Sequence, residues 1–507
     1  MIESLVAGFG NAVTLTNIMF IAFGIVIGII FGVLPGLGSV TAVAILVPVT
    51  FYMDPVTGIA FLVGVNKGGT SGGAIPSILI NAPGTPEAAA TARDGYPLTK
   101  AGKPVKAMKM SLYSSVFGDL FSDCVLILLS APFAAIALKF GPPEFTAIIL
   151  FSFTLIAALA GNSLSKGLLA AALGVFLSTI GLDPVDSTPR MTFGEVELLD
   201  GVNLNALAIG ALALSSVISQ VFGLHKEGPD GVTYAPGKLK SDSTLTLSEY
   251  WSNWKTLLRS ALIGTGVGML PGLGVSLAAF LGYGAAKRQS KTPEKFGTGC
   301  LEGIAATEAA NSAVVGANLI PTITLGIPGN VVAALMVGAF MIHGLVPGPF
   351  MMTDHGELVY SIFACMLMAN LLHIVIGRIG ISIWGYFMRV PKNIILPVVV
   401  VLCIAGVYIP ANSMFHIGLM LTFAGLGYLM RKSGFSVVCL VMGYLLGPNF
   451  EMSFRQTMLM YRADLTIMFS SPISLVFLLL TFFFIWKFGP SSYLKSKNSD
   501  RTGKKRE

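Results

Sequence analysis

Long stretches without Asp, Glu, Lys or Arg constrain this chain more than any other feature of its sequence. The charge-free runs include 4–53, 145–165, 201–225, 260–286, 309–353, 358–377, 393–430 and 465–486. A helix needs about 20 apolar residues to cross the hydrocarbon core of a bilayer, and three of these runs could hold two crossings. Barrel strands would instead alternate apolar and polar residues. The runs therefore predict an all-α, polytopic membrane protein.

The low charge content supports this class. Charged residues make up 11% of the 507 residues, against about 25% in an ordinary soluble domain. That is too little to cover the surface of a soluble enzyme, and a hydrophobic fraction of 54% excludes a disordered chain. The net charge of +7 comes largely from basic residues in 487–507. A basic tail after a last span is typical of a cytoplasmic C-terminus and not of nucleic-acid binding.

Two motifs recur in the same order, which indicates an internal duplication. The sequence GVLPGLG at 32–38 returns as GMLPGLG at 268–274, and IPSILINAPG at 75–84 aligns with IPTITLGIPG at 320–329. The second alignment also places Asn66 on Asn311. Ordered matches at nearly one offset predict two related halves. We place the first transmembrane repeat at 1–223, a cytoplasmic linker at 224–256, the second repeat at 257–486 and a basic cytoplasmic tail at 487–507.

Loop charges predict opposite membrane orientations for the two halves. We call the PGLG sequences at 35–38 and 271–274 the Pro-Gly tips. The segments 1–14 and 50–58, on either side of the first tip, contain no Lys or Arg, whereas basic residues flank the second tip. The positive-inside rule then puts the N-terminus outside and the C-terminus in the cytoplasm. We therefore predict two inverted-topology repeats with broken or re-entrant helices. The segment 330–349 is apolar enough for an additional crossing, which would change the number of spans.

Gly and Pro interrupt the apolar segments at matching places in both halves. Lipid cannot satisfy the freed backbone groups, so such breaks survive inside protein or around a polar cavity. Paired breaks in inverted halves indicate a transporter's binding site, and hydroxyls, amides and bare backbone N–H groups there suit a carboxylate. The predicted substrate-binding residues are Lys67, Gly68, Gly69, Thr70, Ser71, Asn81, Gly84, Thr85, Thr322, Thr324, Gly326, Gly329 and Asn330.

The Pro-Gly tips and the paired asparagines form the predicted coupling-ion site, because unwound carbonyls can bind Na⁺. Its residues are Pro35, Gly36, Gly38, Asn66, Pro271, Gly272, Gly274 and Asn311. We predict no cofactor and no metal other than Na⁺, with Na⁺ or H⁺ as the coupling ion. An alternative interpretation stays open, in which the small residues only allow helices to pack closely.

Lys67 lies beside the first glycine cluster, in an apolar segment where a buried charge is costly and therefore functional or paired. It could neutralise a substrate carboxylate. Alternatively, it could form a structural pair with Glu302 or Glu308, which precede Asn311 in the second half.

Four further ionisable residues lie within apolar segments. Asp119 and Asp123 share a helix face at a spacing of four residues, and they could bind a cation or a proton or line a polar helix interface. His373 could relay protons or pack as a satisfied core histidine. Arg378 is expected to reach the inner membrane surface.

The sequence contains no catalytic constellation and no phosphate-binding loop. We therefore predict that the chain is not an enzyme. Uphill transport would then use an ion gradient or a partner ATPase. A passive anion channel or pore is the alternative.

Several motifs together resemble the large permease subunit of tripartite tricarboxylate transporters. They are LPGLG at 34–38, LINAPGT at 79–85, DGYP at 94–97, EAAN at 308–311, PTITLGIPG at 321–329 and PGP at 347–349. The resemblance covers about residues 15–485 in the order and spacing of the family.

This resemblance implies a secondary active transporter of the bacterial inner membrane that takes up carboxylates such as citrate. Such systems pair the large subunit with a small four-helix membrane subunit and a periplasmic solute-binding protein, and uptake is coupled to a cation gradient, often by sodium symport. The chain departs from the family at Lys67, where an aromatic residue is usual, which favours a more anionic substrate. Thr307 and Ser312 replace a usual proline and asparagine.

Overall fold

A computed structural model describes residues 2–34, 36–160, 163–224, 244–271, 274–387 and 392–503. Within these ranges the chain is helical almost throughout, and a two-residue antiparallel pair, β1 (Gly181–Leu182) with β2 (Pro189–Arg190), is the sheet that occurs there. The predicted all-α class is therefore confirmed.

The helices of the first part of the chain run from the N-terminus to the residues before the linker. They are α1 (Ile2–Ala12), α2 (Leu15–Val33), α3 (Gly38–Leu46), α4 (Pro55–Gly72), α5 (Ala74–Ile80), α6 (Ala88–Lys100), α7 (Pro104–Ala137), α8 (Pro142–Ala160), α9 (Leu164–Ser178), α10 (Leu204–Ala208) and α11 (Ser215–Leu224). A π-helix, Ile209–Leu214, joins α10 to α11, and 3-10 turns form at Val47–Tyr52 and Val196–Leu198.

The helices of the second part follow residues 225–243, which lie outside the described ranges and include most of the predicted linker. They are α12 (Leu247–Trp251), α13 (Trp254–Gly268), α14 (Gly274–Gln289), α15 (Leu301–Ala317), α16 (Leu319–Leu325), α17 (Val331–Ile342), α18 (Met351–Asp354), α19 (Gly356–Phe387), α20 (Lys392–Ala411), α21 (Met414–Lys432), α22 (Val437–Met460), α23 (Ile467–Ser470) and α24 (Pro472–Gly503). A 3-10 turn forms at Pro293–Lys295.

Seven helical segments of the described chain are long and apolar enough to cross a membrane. They are Leu15–Val33, Pro104–Ala137, Leu204–Phe222, Gly356–Ile381, Asn393–Ala411, Met414–Lys432 and Val437–Met460. This confirms a multi-pass membrane protein. The ambiguous segment 330–349 forms α17, whose 12 residues span about 18 Å, too short to cross a core of about 30 Å.

The chain divides into two compact units. The first unit comprises 1–134, 216–270 and 274–412, and the second comprises 135–215, 271–273 and 413–507. The repeat boundaries and the inverted orientation of the halves stay predictions.

In the first unit, α2 and α4 pack with their backbones in contact. A Cβ atom on Gly28 would lie 2.2 Å from the carbonyl oxygen of Val65, and one on Gly68 would lie 2.3 Å from that of Ile25. Such distances exclude any side chain, so only glycine permits this approach. The glycines that line this seam, at intervals of four residues on both helices, are Gly24, Gly28, Gly32, Gly64, Gly68 and Gly72.

The duplication seen in the sequence is also a duplication of local structure. Helix α4 breaks before α5, and α5 ends at Asn81 with a left-handed φ of 56°. Helix α15 breaks before α16, which ends at Gly326 with a φ of 70°. We call residues 73–85 the first break and residues 318–330 the second break. Both predicted breaks are thus confirmed, and Asn81 and Gly326 occupy the equivalent turn position.

In the second unit, glycines again allow close packing of helices. A Cβ atom on Gly174 of α9 would lie 2.1 Å from the carbonyl oxygen of Leu440 on α22, and one on Gly443 would lie 2.2 Å from that of Ala171. The loop after α9 is held by ion pairs to the far end of α22, where Arg455 Nη2 lies 3.0 Å from Asp183 Oδ2. Close backbone packing is therefore general in this protein and is not by itself a mark of a binding site.

Candidate functional site

The helices that lead into the two breaks are buried on all sides. Every residue of α4 from Thr57 to Gly72 is buried, and so is every residue of α15 from Gly303 to Ala317. Neither helix is among the seven apolar segments named above. The helix that enters each break therefore lies inside protein, as expected for interrupted helices that lipid could not satisfy. Within the first break, Asn81 and Pro83 are exposed.

In each half, a glycine near the end of the break contacts a glycine at the end of the helix that precedes the Pro-Gly-Leu-Gly motif. In the first, a Cβ atom on Gly84 would lie 2.2 Å from the carbonyl oxygen of Gly32 at the end of α2. In the second, a Cβ atom on Gly329 would lie 2.9 Å from that of Gly268 at the end of α13. The turn after each broken helix therefore rests on the helix that leads to its Pro-Gly tip, and the two predicted groups, substrate-binding and coupling-ion, adjoin each other.

Two buried polar atoms in or next to the second break have no hydrogen-bond partner among the described residues. They are Asn311 Oδ1 and Asn318 Nδ2. Asn318 also lines a cavity of about 10 Å³ together with Asn66. Buried polar groups are normally satisfied, so orphaned ones indicate a place for a bound group or water. The cavity joins Asn66 of the first copy to the second break, and Asn311 is not among its lining residues.

Other predicted residues of the second break form hydrogen bonds within their own helices. The hydroxyls of Thr322 and Thr324 donate to the carbonyl oxygens of Asn318 and Ile320, at 2.6 and 2.7 Å. Asn330 caps α17 by accepting a hydrogen bond from a backbone N–H. These side chains have structural roles here, and their predicted contact with a substrate stays a prediction.

Several residues of the first break and tip also have packing roles. A Cβ atom on Gly69 would lie 2.7 Å from Ser39 Cβ, and one on Gly38 would lie 3.2 Å from Thr85 Cγ2. The carbonyl oxygen of Gly36 accepts hydrogen bonds from Ser216 Oγ and from Gln220 Nε2. Among the remaining predicted residues, Thr70 and Pro271 are buried and Asn81 is exposed. Gly274 begins α14. Pro35 and Gly272 lie outside the described residues.

Lys67 is at the centre of a buried polar cluster on three helices. Its Nζ donates to Asp123 Oδ2 at 2.6 Å and to Asn370 Oδ1 at 2.7 Å. The Asn370 amide donates to the same Asp123 oxygen at 2.8 Å. The predicted pairing of Lys67 with Glu302 or Glu308 is therefore wrong, because α7 and α19, and not α15, supply its partners.

Asp119 and His373 complete this arrangement. Asp119 Oδ1 lies 4.0 Å from Lys67 Nζ, and its Oδ2 lies 3.9 Å from His373 Nδ1. The other ring nitrogen, Nε2, is 2.6 Å from Ser71 Oγ. We call Lys67, Ser71, Asp119, Asp123, Asn370 and His373 the Lys67 cluster; each of its members is buried. Arg378, further along α19, is exposed.

The two glutamates that precede Asn311 have their own partners. Glu308 is fully buried and accepts hydrogen bonds from the hydroxyls of Thr91 and Ser115. Glu302 accepts hydrogen bonds from Thr256 and Ser290. Hydroxyl donors thus solvate both carboxylates within the protein.

Two side chains that organise the site, those of Asp94 and Asn370, were not predicted from the sequence. Asp94 Oδ1 accepts hydrogen bonds from the backbone N–H groups of Gly297, Gly299 and Cys300, which fixes the entry to α15. Asn370 bridges Lys67 and Asp123. In the sequence, Asp94 could have been noticed as the aspartate of the DGYP motif, and Asn370 as the amide side chain in the charge-free run 358–377.

Comparison with known proteins gives one consistent result. Residues 18–442 match the sequence model of the Tripartite tricarboxylate transporter TctA family. An uncharacterized 52.8 kDa protein of the TAR-I ttuC' 3' region in Agrobacterium vitis is 34% identical over 474 residues, which cover 94% of this chain and 93% of that protein. A second protein, from the TAR-II ttuC' 3' region of the same organism, is 36% identical over 211 residues, covering 42% of this chain and 87% of that protein. No solved structure matches the chain.

Proposed function

This chain belongs to the tripartite tricarboxylate transporter TctA family, and on that premise we propose that it is the membrane permease that imports a carboxylate such as citrate through its two breaks. The family is one of multi-subunit transporters and not of enzymes. The finer proposal concerns the substrate, the driving force and the partners. We place the protein in the bacterial inner membrane, with a small four-helix membrane subunit and a periplasmic solute-binding protein that delivers the substrate.

The unpartnered polar atoms at the second break carry this proposal. Asn318 Nδ2 is a buried donor from which a substrate carboxylate could accept a hydrogen bond, and a hydrogen bond to a charged group contributes about 1.5–3 kcal/mol. Asn311 Oδ1 is a buried acceptor and suits a cation or a substrate hydroxyl. A donor for an anion, Asn318 Nδ2, therefore lies in the second break, and the acceptor Asn311 Oδ1 lies next to that break.

Reconstituted transport tests the proposal. The chain is placed in liposomes with the small subunit and the binding protein, and uptake of labelled citrate and other carboxylates is measured with and without a cation gradient. We expect accumulation that requires both the binding protein and the gradient. Flux that ignores the gradient and the binding protein would identify a passive pore. The absence of any carboxylate uptake by a folded, complete complex would refute the proposal.

A matched pair of variants tests the breaks themselves. Asn311→Ala removes a buried amide next to the second break, and Asn449→Ala removes an exposed amide on α22. We expect Asn311→Ala to reduce uptake by about 10-fold or more, which corresponds to one lost hydrogen bond to a charged group. Asn449→Ala should leave uptake unchanged. Equal uptake by both variants at equal expression would contradict a role for Asn311.

A further inference from the structure

In the second copy, the position equivalent to Lys67 is not basic. The offset that aligns the breaks places Ser312 opposite Lys67. The duplicated breaks therefore do not account for this cluster, and its charges need an explanation of their own.

The formal charges of the cluster do not cancel. Asp119 and Asp123 carry two negative charges and Lys67 carries one positive charge, and all three side chains are at most 1% exposed. An uncompensated charge in so dry a place is strongly unfavourable. The cluster therefore favours the binding of one additional monovalent positive charge.

Asp123 and Lys67 already neutralise each other. Lys67 Nζ and the Asn370 amide both donate to Asp123 Oδ2, and Asn370 Oδ1 accepts from Lys67. The ammonium thus occupies the position between carboxylate and amide oxygens that a small metal cation would require. No group of three His, Cys, Asp or Glu side chains in the described ranges could hold a metal ion. Asp119 is therefore the carboxylate of the cluster whose negative charge is not compensated.

The hydrogen bonds of Ser71 determine what faces Asp119. Ser71 has one hydroxyl proton, and it donates to the carbonyl oxygen of Gly68 at 3.3 Å. We assign to His373 the tautomer in which Nε2 carries the proton and donates to Ser71 Oγ, 2.6 Å away, because this leaves the Ser71 proton for Gly68. In this tautomer His373 Nδ1 has a lone pair directed to the side of Asp119 Oδ2, 3.9 Å away. Nδ1 and Oδ2 are then two acceptors that face each other. Nδ1 has no hydrogen-bond partner among the described residues, and neither has the other carboxylate oxygen of Asp119, Oδ1.

We propose that Asp119 and His373 bind one proton between them, that this proton is the coupling cation for uptake, and that Lys67 acts as a tethered substitute for a metal cation. The inference rests on the proposed carboxylate import. Binding converts the cluster from one net negative charge to neutrality, and release on the other side of the membrane restores that charge. No bond other than O–H or N–H forms or breaks.

Every charged group that faces Asp119 fits this assignment. Lys67 on α4 and His373 on α19 approach it from two helices, and Asp123 lies one turn away on α7. Glu308 on α15 adds a further negative charge that acts on Asp119. Among the described residues, Asp119 itself, Asp123 and Glu308 set three acidic groups against the ammonium of Lys67, so the local potential attracts a proton.

A cavity adjoins His373. It has a volume of about 30 Å³ and is lined by Ser71, Ser111 and His373 together with apolar side chains. A space of about 10–15 Å³ is enough for one water molecule, which needs two or more polar partners. The hydroxyls and the imidazole supply those partners. Because 3.9 Å is too long for a direct hydrogen bond, transfer to Asp119 requires a water or a small approach of α19.

Separate gradients test the proposal on the complete reconstituted complex. Labelled citrate is the probe, and a pH gradient and a Na⁺ gradient are applied in turn, with a pH-sensitive dye inside the liposomes. We expect the pH gradient alone to drive accumulation, with proton entry that depends on the substrate. Accumulation driven by Na⁺ alone would overturn the proton assignment, although carboxylate import would stand.

Asp119→Asn separates coupling from binding, because the amide mimics the protonated acid. We expect this variant to lose accumulation driven by the pH gradient while it keeps the exchange of labelled for unlabelled citrate. Asp186→Asn, a change of an exposed loop carboxylate, should keep both. Undiminished gradient-driven accumulation in Asp119→Asn would overturn the proposal. If neither the unaltered protein nor any variant exchanges a carboxylate, the proposed function itself fails.

His373→Gln provides an independent measurement in case Asp119→Asn does not fold. Glutamine retains a hydrogen bond to Ser71 but cannot bind the proton. We expect the dependence of uptake on external pH to shift to lower pH, because Asp119 must then take up the proton without the imidazole. An unchanged pH profile in folded His373→Gln would overturn the assignment.

Discussion

Two clusters of charged side chains, one in each compact unit, differ in whether their charges balance. In the second unit, Asp183 and Glu451 face Arg190 and Arg455, two acids against two bases. Arg190 Nη1 lies 2.7 Å from Glu451 Oε1, and Arg455 Nη2 lies 3.0 Å from Asp183 Oδ2. We call these four residues the loop quartet. In the first unit, the Lys67 cluster sets one base against two acids.

Solvent access separates the clusters as well. The Arg455 side chain of the quartet is 36% exposed, whereas that of Lys67 is 0% exposed. Water therefore screens a charge mismatch in the quartet far more than in the Lys67 cluster. The balanced, partly hydrated charges of the quartet therefore stabilise a loop. The unbalanced, buried charges of the Lys67 cluster favour the binding of an additional positive charge, and those of the quartet do not.

The largest effect is expected for Lys67→Met. This change leaves Asp123 buried with only the Asn370 amide beside it, and breaking a buried pair costs about 3–5 kcal/mol. We expect a strong drop in the thermal unfolding temperature in detergent, followed by circular dichroism, and loss of uptake. The double variant Lys67→Met with Asp123→Asn should recover much of the unfolding temperature but not uptake. A double variant as unstable as the single one would show that charge balance is not what Lys67 provides.

A smaller effect is expected for Glu451→Gln in the loop quartet. Its carboxylate contacts both arginines, but Asp183 stays within reach of each. A partly exposed ion pair contributes about 1 kcal/mol or less, and salt screens it. The unfolding temperature should therefore fall slightly, and the difference from the unaltered protein should shrink in high salt. A loss as large as that of Lys67→Met, independent of salt, would remove the contrast between the two clusters.

The smallest effect concerns acid stability and Asp183. Hydrogen bonds from the backbone N–H groups of Val185 and Asp186, together with Arg455, lower the pKa of Asp183 from 3.8 to about 2. A lowered pKa means that the carboxylate stabilises the fold above pH 3.8, and that this contribution disappears as the pH falls to about 2. Asp183→Asn should therefore be less stable than the unaltered protein at neutral pH, and the two should converge near pH 2. A difference in unfolding temperature that does not depend on pH would argue against a titrating contact.

The sequence was informative where one segment suffices to determine the structure. Charge-free runs predicted helices, and the repeated motifs predicted breaks that are found at Gly73 and Asn318. The failure at Lys67 has a physical reason. Its partners Asp123 and Asn370 come from α7 and α19, and the rotation of one helix against another depends on packing that a single sequence does not display.

The glycines illustrate the same limit. Gly68 and Gly69 occur in a doubled motif that suits a binding site, yet both lie where a side chain would collide with a neighbouring helix. At Gly68 and Gly69 the alternative interpretation is therefore correct: these glycines allow neighbouring helices to pack closely. Their roles in substrate binding stay predictions, because a residue that allows close packing can also leave its backbone open to a ligand.

The seam between α2 and α4 has a consequence for motion. Glycines recur every fourth residue on both helices, at 24, 28 and 32 and at 64, 68 and 72. A slide of α4 along α2 by four residues, about 6 Å, would again put glycine against backbone at most positions. Side chains interlock packed helices and resist shear, and the glycine positions of this seam have none. Phe61 of α4, which packs against Phe20 and Phe23 of α2, lies beside the first of these glycines and would have to move in such a slide. Because Lys67 travels with α4, such a slide would withdraw the ammonium from Asp123 and exchange its neighbours in a single step, which is the behaviour of a two-position switch.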